Sequence, residues 1–71
     1  MKSYTMTENM KFWLRKLYLD EAEEHREAAK NCHIFAMGSA THESSVQFEH
    51  YADEHRAFAS QLEALANEID I

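Results

Sequence analysis

In the second half of the chain, Phe48, Tyr51, His55, Phe58, Leu62, Leu65 and Ile69 follow one another at alternating steps of three and four residues. That spacing is the a/d seam of a packed helix, and strand alternation does not fit it. His55 is its one conventionally polar member. The first half carries a similar series at Met10, Leu14, Leu17, Glu21, Glu24, Ala28, Asn31 and Phe35, with Cys32 beside it. This series is apolar at its start, polar in the middle and mixed at its end. Two long amphipathic helices are expected.

Punctuation is sparse. The chain has no proline, and its single glycine, Gly38, lies near the middle. The spacing predicts a helix over about 7–37, a turn at 38–41 and a helix over about 41–69. Thr7 suits the N-cap of the first helix, with Glu8 complementing the dipole, and Ser39 or Thr41 suits that of the second. Gly38 is expected in the left-handed conformation just past a helix end, and residues 1–6 are expected to fray. A short connection folds the helices into an antiparallel hairpin in which facing residue numbers sum to about 79. Leu14 then meets Leu65, Leu17 meets Leu62, and small Ala28 lies opposite large Tyr51. Glu24 lands opposite His55, with Glu21 near Phe58. The similar stretches AEEHREAA (22–29) and ADEHRAFA (52–59) become neighbours and build a polar layer of Glu21, Glu24, His25 and His55. The plainer alternative is that two segments rich in helix formers share a few residues by chance.

Size changes the picture next. A chain of 71 residues buries only about 60% of its unfolded surface and needs support. Cys32 is the only cysteine, so no intramolecular disulfide forms, and zinc-site spacings are missing. Association remains. Phe12, Trp13, Tyr18, Leu19, Ile34 and Met37 fall off the predicted stripe and would make a large exposed apolar patch. The expected remedy is a homodimer packing two hairpins into a four-helix bundle. Trp13 is its expected anchor, joined by Phe12, Leu19 and Ile34; the competing reading has Trp13 lap over the intramolecular seam.

Charge and chemistry narrow the function. Thirteen acidic against seven basic residues give a net charge of −6, which argues against general affinity for nucleic acid or anionic membrane. No apolar run approaches the roughly 18 residues of a spanning helix. The opening MKSYTMTENMKF lacks a signal peptide's apolar region. A soluble cytoplasmic protein is expected. None of the five histidines has an acid three residues before it, so the E-x-x-H motif of di-metal bundles is missing. The remaining metal reading uses Glu21, Glu24, His25 and His55 as ligands. A hairpin offers little concavity for an enzyme, there is no glycine-rich phosphate loop, and Cys32 reads as a structural thiol. No catalytic residue or cofactor is expected. Lys11, Arg15 and Lys16 form a small basic cluster, read as a solvated face or as a contact for phosphate or an acidic partner.

The stretch MTENMKFWLRKLYLDEAEEHREAA (6–29) resembles in style the small helical accessory proteins of temperate, lambda-like phages. That resemblance implies binding to host or phage proteins. HYADEHRAF (50–58) is similar to part of the second helix of the Rop-type plasmid copy-number regulators, helical-hairpin dimers that bind paired RNA loops. This implies an RNA-binding alternative for which Lys11, Arg15 and Lys16 would serve. The expected function is a non-enzymatic protein–protein interaction module, a regulatory protein acting on a host or partner protein. Rop-type RNA binding and a metal-binding bundle are the alternatives.

Overall fold

The computed structural model describes residues 6–69. It is an all-α hairpin of two antiparallel helices, α1 (Glu8–Met37) and α2 (His42–Glu68), packed along their length. Each helix starts on a threonine cap. Thr7 Oγ1 accepts from the Met10 amide at 3.1 Å, and Thr41 Oγ1 accepts from the Ser44 amide at 3.1 Å. Both caps satisfy an amide that the helix itself leaves unpaired. Ser39, the other cap candidate, instead donates its hydroxyl to the Phe35 carbonyl at 2.8 Å.

The turn differs from expectation at Gly38. Its φ is −93° and ψ 3°, outside the left-handed region. The Gly38 amide closes onto Ile34 O and the Ser39 amide onto Ala36 O, so the last turn tightens without a positive φ. A Cβ at Gly38 would meet only ordinary contacts, 3.7 Å from Ile34 O and 4.0 Å from Phe35 O. The backbone therefore does not demand glycine there.

What sets the close spacing of the helices is a double series of alanines. Ala22, Ala29 and Ala36 on α1 and Ala52, Ala59 and Ala66 on α2 are the buried residues, each series spaced by seven. Contacts between the helices fix the register: His25 meets His55 and Phe58, His33 meets Glu49, and Phe35 meets Phe48. Those numbers sum to 80–83, about a helical turn from the predicted register or less. This register puts Ala22 level with Ala59, and Ala29 level with Ala52. Small layers thus alternate with larger ones, Tyr18 with Leu62, His25 with His55, and Cys32 with Phe48. Alanine against alanine lets two helix axes approach to about 8 Å, the close end of the usual range.

This overturns the predicted face of α1. Met10, Leu17, Glu24 and Asn31 are exposed, and their C-terminal neighbours Lys11, Tyr18, His25 and Cys32 take the contact line instead. On α2, Phe48, His55, Leu62 and Ile69 lie on the line as predicted, whereas Tyr51, Phe58 and Leu65 give way to Ala52, Ala59 and Ala66. The pairing of Ala28 with Tyr51 is replaced by small against small. The physical reason is distance: two close-packed helices leave no room for a large residue on every layer. Tyr18, expected off the stripe, is on it.

Candidate protein-interaction face

A two-helix hairpin is one layer thick, and the smallest extent of this chain is 13 Å, about one helix diameter. It therefore has two broad faces and no interior. Residues on an ideal helix are 100° apart, so the cross-helix contacts identify what each face carries. Arg26 bonds Glu63, and His33 Nδ1 lies 2.6 Å from Glu49 Oε1; these pairs bridge the helices on one face. Lys30 and Arg56 line a shallow groove there with Arg26 and His33. The opposite face is marked by Phe58, whose ring stacks on His25 with centroids 4.9 Å apart.

That second face is apolar and open. Met10, Leu14, Leu17, Ala28 and Phe35 of α1 lie on it, beside Tyr51, Phe58 and Leu65 of α2. Met10 is 55% exposed, Leu17 54%, Phe35 60% and Phe58 55%. At the end away from the turn, Met10, Trp13, Leu14 and Leu17 line a cleft with Met6 and Asn9. Leu14 also joins Tyr18, Leu65 and Ile69 around a second one. Glu21, half-buried, and the exposed Glu24 and Asn31 interrupt the apolar surface midway, and Gln47 Nε2 donates to Tyr51 Oη at 2.8 Å on the α2 side.

Of the expected interface residues, Trp13 borders this face, 63% exposed, with its ring edge-on to Phe12 at 5.4 Å. Phe12 and Ile34 are exposed, and Leu19 is half-buried. By helix geometry these three point away from the open face, along the outside of α1 or toward the charged side. Sequence reasoning gave Tyr51, Phe58 and Leu65 to the hairpin's own seam. The signal that could have moved them was the alanine in the next position each time.

The polar layer is smaller than expected. His25 Nδ1 and His55 Nδ1 are 2.9 Å apart, and both rings are half-buried. Glu21 lies one turn before His25, but Glu24 is exposed and is not His55's partner. One residue of rotation on α1 exchanges Glu24 for His25. Among the described residues, no group of three or more His, Cys, Asp or Glu side chains converges as a metal site would require. The basic cluster is dispersed. Lys11 and Arg15 are half-buried along the contact line, Lys11 lying 3.7 Å from Glu8; Lys16 points outward and bonds Asp20 at 2.9 Å. No helix among the described residues is long and apolar enough to cross a membrane.

The Arg26–Glu63 pair tunes both partners. The hydrogen bond from Arg26, reinforced by its charge, holds the Glu63 carboxyl below its ordinary value of 4.5 against the effect of burial, and the same bond raises Arg26 further. A carboxyl lowered in the folded state adds stability that is complete above 4.5 and is lost as pH falls through the lowered value. Glu63→Gln should therefore melt slightly below the wild type at neutral pH, with the gap closing in acid. A gap of constant size from pH 7 to pH 3 would show that the pair contributes nothing through its charge.

No family model, curated protein or solved structure matches this chain.

Proposed function

We propose that this chain is a non-enzymatic protein–protein interaction module whose working surface is the open apolar face, in the manner of a small regulatory protein acting on a host or partner protein. The observation that supports this is the collection of Met10, Leu17, Phe35, Tyr51, Phe58 and Leu65, all exposed large side chains, on one side of a hairpin whose other side is ion-paired. Large apolar side chains gathered on one exposed face of a small chain mark a contact site. Among the described residues, the surface offers open clefts, one lined by Asp20, Glu23, Glu24 and Glu27 and others by basic or apolar side chains. Such clefts suit packing better than bond-making.

Photo-crosslinking in the native host tests the reading. A benzophenone side chain at Leu17, Tyr51 or Leu65 should give discrete protein adducts, and the same group at Ile34 should not. Adducts missing from all three face positions, or equally abundant from Ile34, would overturn it.

A further inference from the structure

Resting on that reading, we propose that the occupant of the open face is a second copy of this chain, so that two hairpins close face to face into a four-helix bundle. Three observations carry this.

The first is surface. The chain exposes 5770 Å², whereas a compact monomer of 8.3 kDa would expose about 4,600 Å². The surplus, about 1,200 Å², is of the size that one partner covers in a stable complex, about 800 Å² or somewhat more. The second is the core. Among the described residues, six alanines are the buried hydrophobic residues, and no large side chain is fully buried. At about 25 cal/mol per Å², alanine methyls alone do not hold two helices of this length together. Six exposed large apolar groups that could contribute more, Met10, Leu17, Phe35, Tyr51, Phe58 and Leu65, lie on the open face, whereas Phe12, Ile34 and Val46 are exposed elsewhere.

The third is direction. In a four-helix bundle each helix touches two neighbours at roughly a right angle, and its apolar stripe is wide enough for both. On α1, Met10, Leu17, Ala28 and Phe35 lie about 60–80° round from the contact line of Tyr18, His25 and Cys32, and about 100–120° from that of Ala22, Ala29 and Ala36. On α2, Tyr51, Phe58 and Leu65 are displaced from that helix's contact line toward the same face. The heptad series of both helices therefore point to an axis outside the hairpin, on its open side. A different protein could fill such a face, but a second copy brings the same stripe width, the same length and the same helix spacing. The opposite face stays in water, where Arg26 pairs with Glu63 and His33 bonds Glu49 across the helices.

Sedimentation equilibrium of the full chain tests this. The wild type should run at twice 8.3 kDa at micromolar concentration, and its melting temperature should rise with concentration. Leu17→Glu and Tyr51→Glu should each weaken self-association at least tenfold, whereas Ile34→Glu, on the outside of α1, should leave it unchanged. Should the face variants fail to fold, the wild type's concentration-dependent melting still decides the matter. A folded wild type of single-chain mass, melting at one temperature across that range, overturns the self-pairing. Crosslinks from Leu17 or Tyr51 solely to other proteins would do so too, and would leave the interaction reading standing. Failure of both readings would show as a monomer with no face-specific adducts.

Discussion

Replacing Ala59 by leucine is expected to cost the hairpin about 1–3 kcal/mol, the usual penalty for extra methylenes in a closely packed contact. For a domain of this size that is a fall in melting temperature of roughly 4–8 °C for each kcal/mol. Ala59 and Ala52 have no exposed surface at all, and the register sets them against Ala22 and Ala29. A leucine there cannot point elsewhere, since side chains on a helix lean along its surface toward the preceding turn. It must push α2 away, and the displacement opens the neighbouring alanine layers too. Ala57→Leu and Ala64→Leu supply the control. Both positions are exposed, leucine is nearly as good a helix former as alanine, and little change should follow. Thermal melts of the four variants, Ala52→Leu included, at one protein concentration make the comparison. If Ala59→Leu melts with Ala57→Leu, close alanine packing does not hold this hairpin together.

That experiment bears on the one thing periodicity misread. The two helices, their bounds to within a residue or so, the Thr7 cap and the hairpin were legible, with the second cap narrowed to Ser39 or Thr41, because they depend on local signals: no proline, one break near Gly38, and hydroxyl side chains before runs of helix formers. The packed face was not. A seam read by apolarity picks the largest side chains, and in α2 that choice takes Tyr51, Phe58 and Leu65 over the alanines one position on. Burial depends on spacing between axes as much as on hydrophobicity, and alanine, weakly apolar, is the residue that permits the shortest spacing. The evenly spaced Ala22, Ala29, Ala36 and Ala52, Ala59, Ala66 were visible in the sequence all along. Their meaning required knowing that small residues can stack on small ones.

The series Met10, Leu14, Leu17, Glu21, Glu24, Ala28, Asn31 and Phe35 is a genuine amphipathic stripe, and it lies on the open face. Its apolar members at either end, Met10, Leu14, Leu17, Ala28 and Phe35, are more than the hairpin itself uses, and a second packing partner would use them. The interface residues inferred from leftover hydrophobicity fared differently: Trp13 borders the face, and Phe12, Leu19 and Ile34 do not. Leftovers from a stripe drawn about 100° from the true contact line fall on the wrong side of the helix. The likeness between AEEHREAA and ADEHRAFA, by contrast, has a structural cause. Both contain alanine, then histidine three residues on, then alanine four beyond that, so each supplies two small layers with a histidine layer between them.

That middle layer supports a second prediction with a large effect. The two Nδ1 atoms, 2.9 Å apart, are at hydrogen-bonding distance, and an imidazole pair can bond this way only if one ring donates from Nδ1 and the other accepts there. Nitrogen-15 spectra should therefore show the two rings in opposite tautomers. His25→Leu leaves His55 half-buried without its partner and removes the ring on which Phe58 stacks; His55→Leu leaves His25 in the same position. Each single change should cost about 1–3 kcal/mol, the penalty for stranding a polar group. His25→Leu with His55→Leu strands nothing. It sets two leucines between the flanking alanine layers, in the manner of the Tyr18–Leu62 layer, and should lie within about 1 kcal/mol of the wild type. Leucine's better helix propensity adds at each site independently and so drops out of the coupling between them. The double variant should thus be more stable than either single, a coupling on the order of 1 kcal/mol or more. If the two costs simply add, the histidines do not act as a pair, and the repeated motif contributes alanines alone.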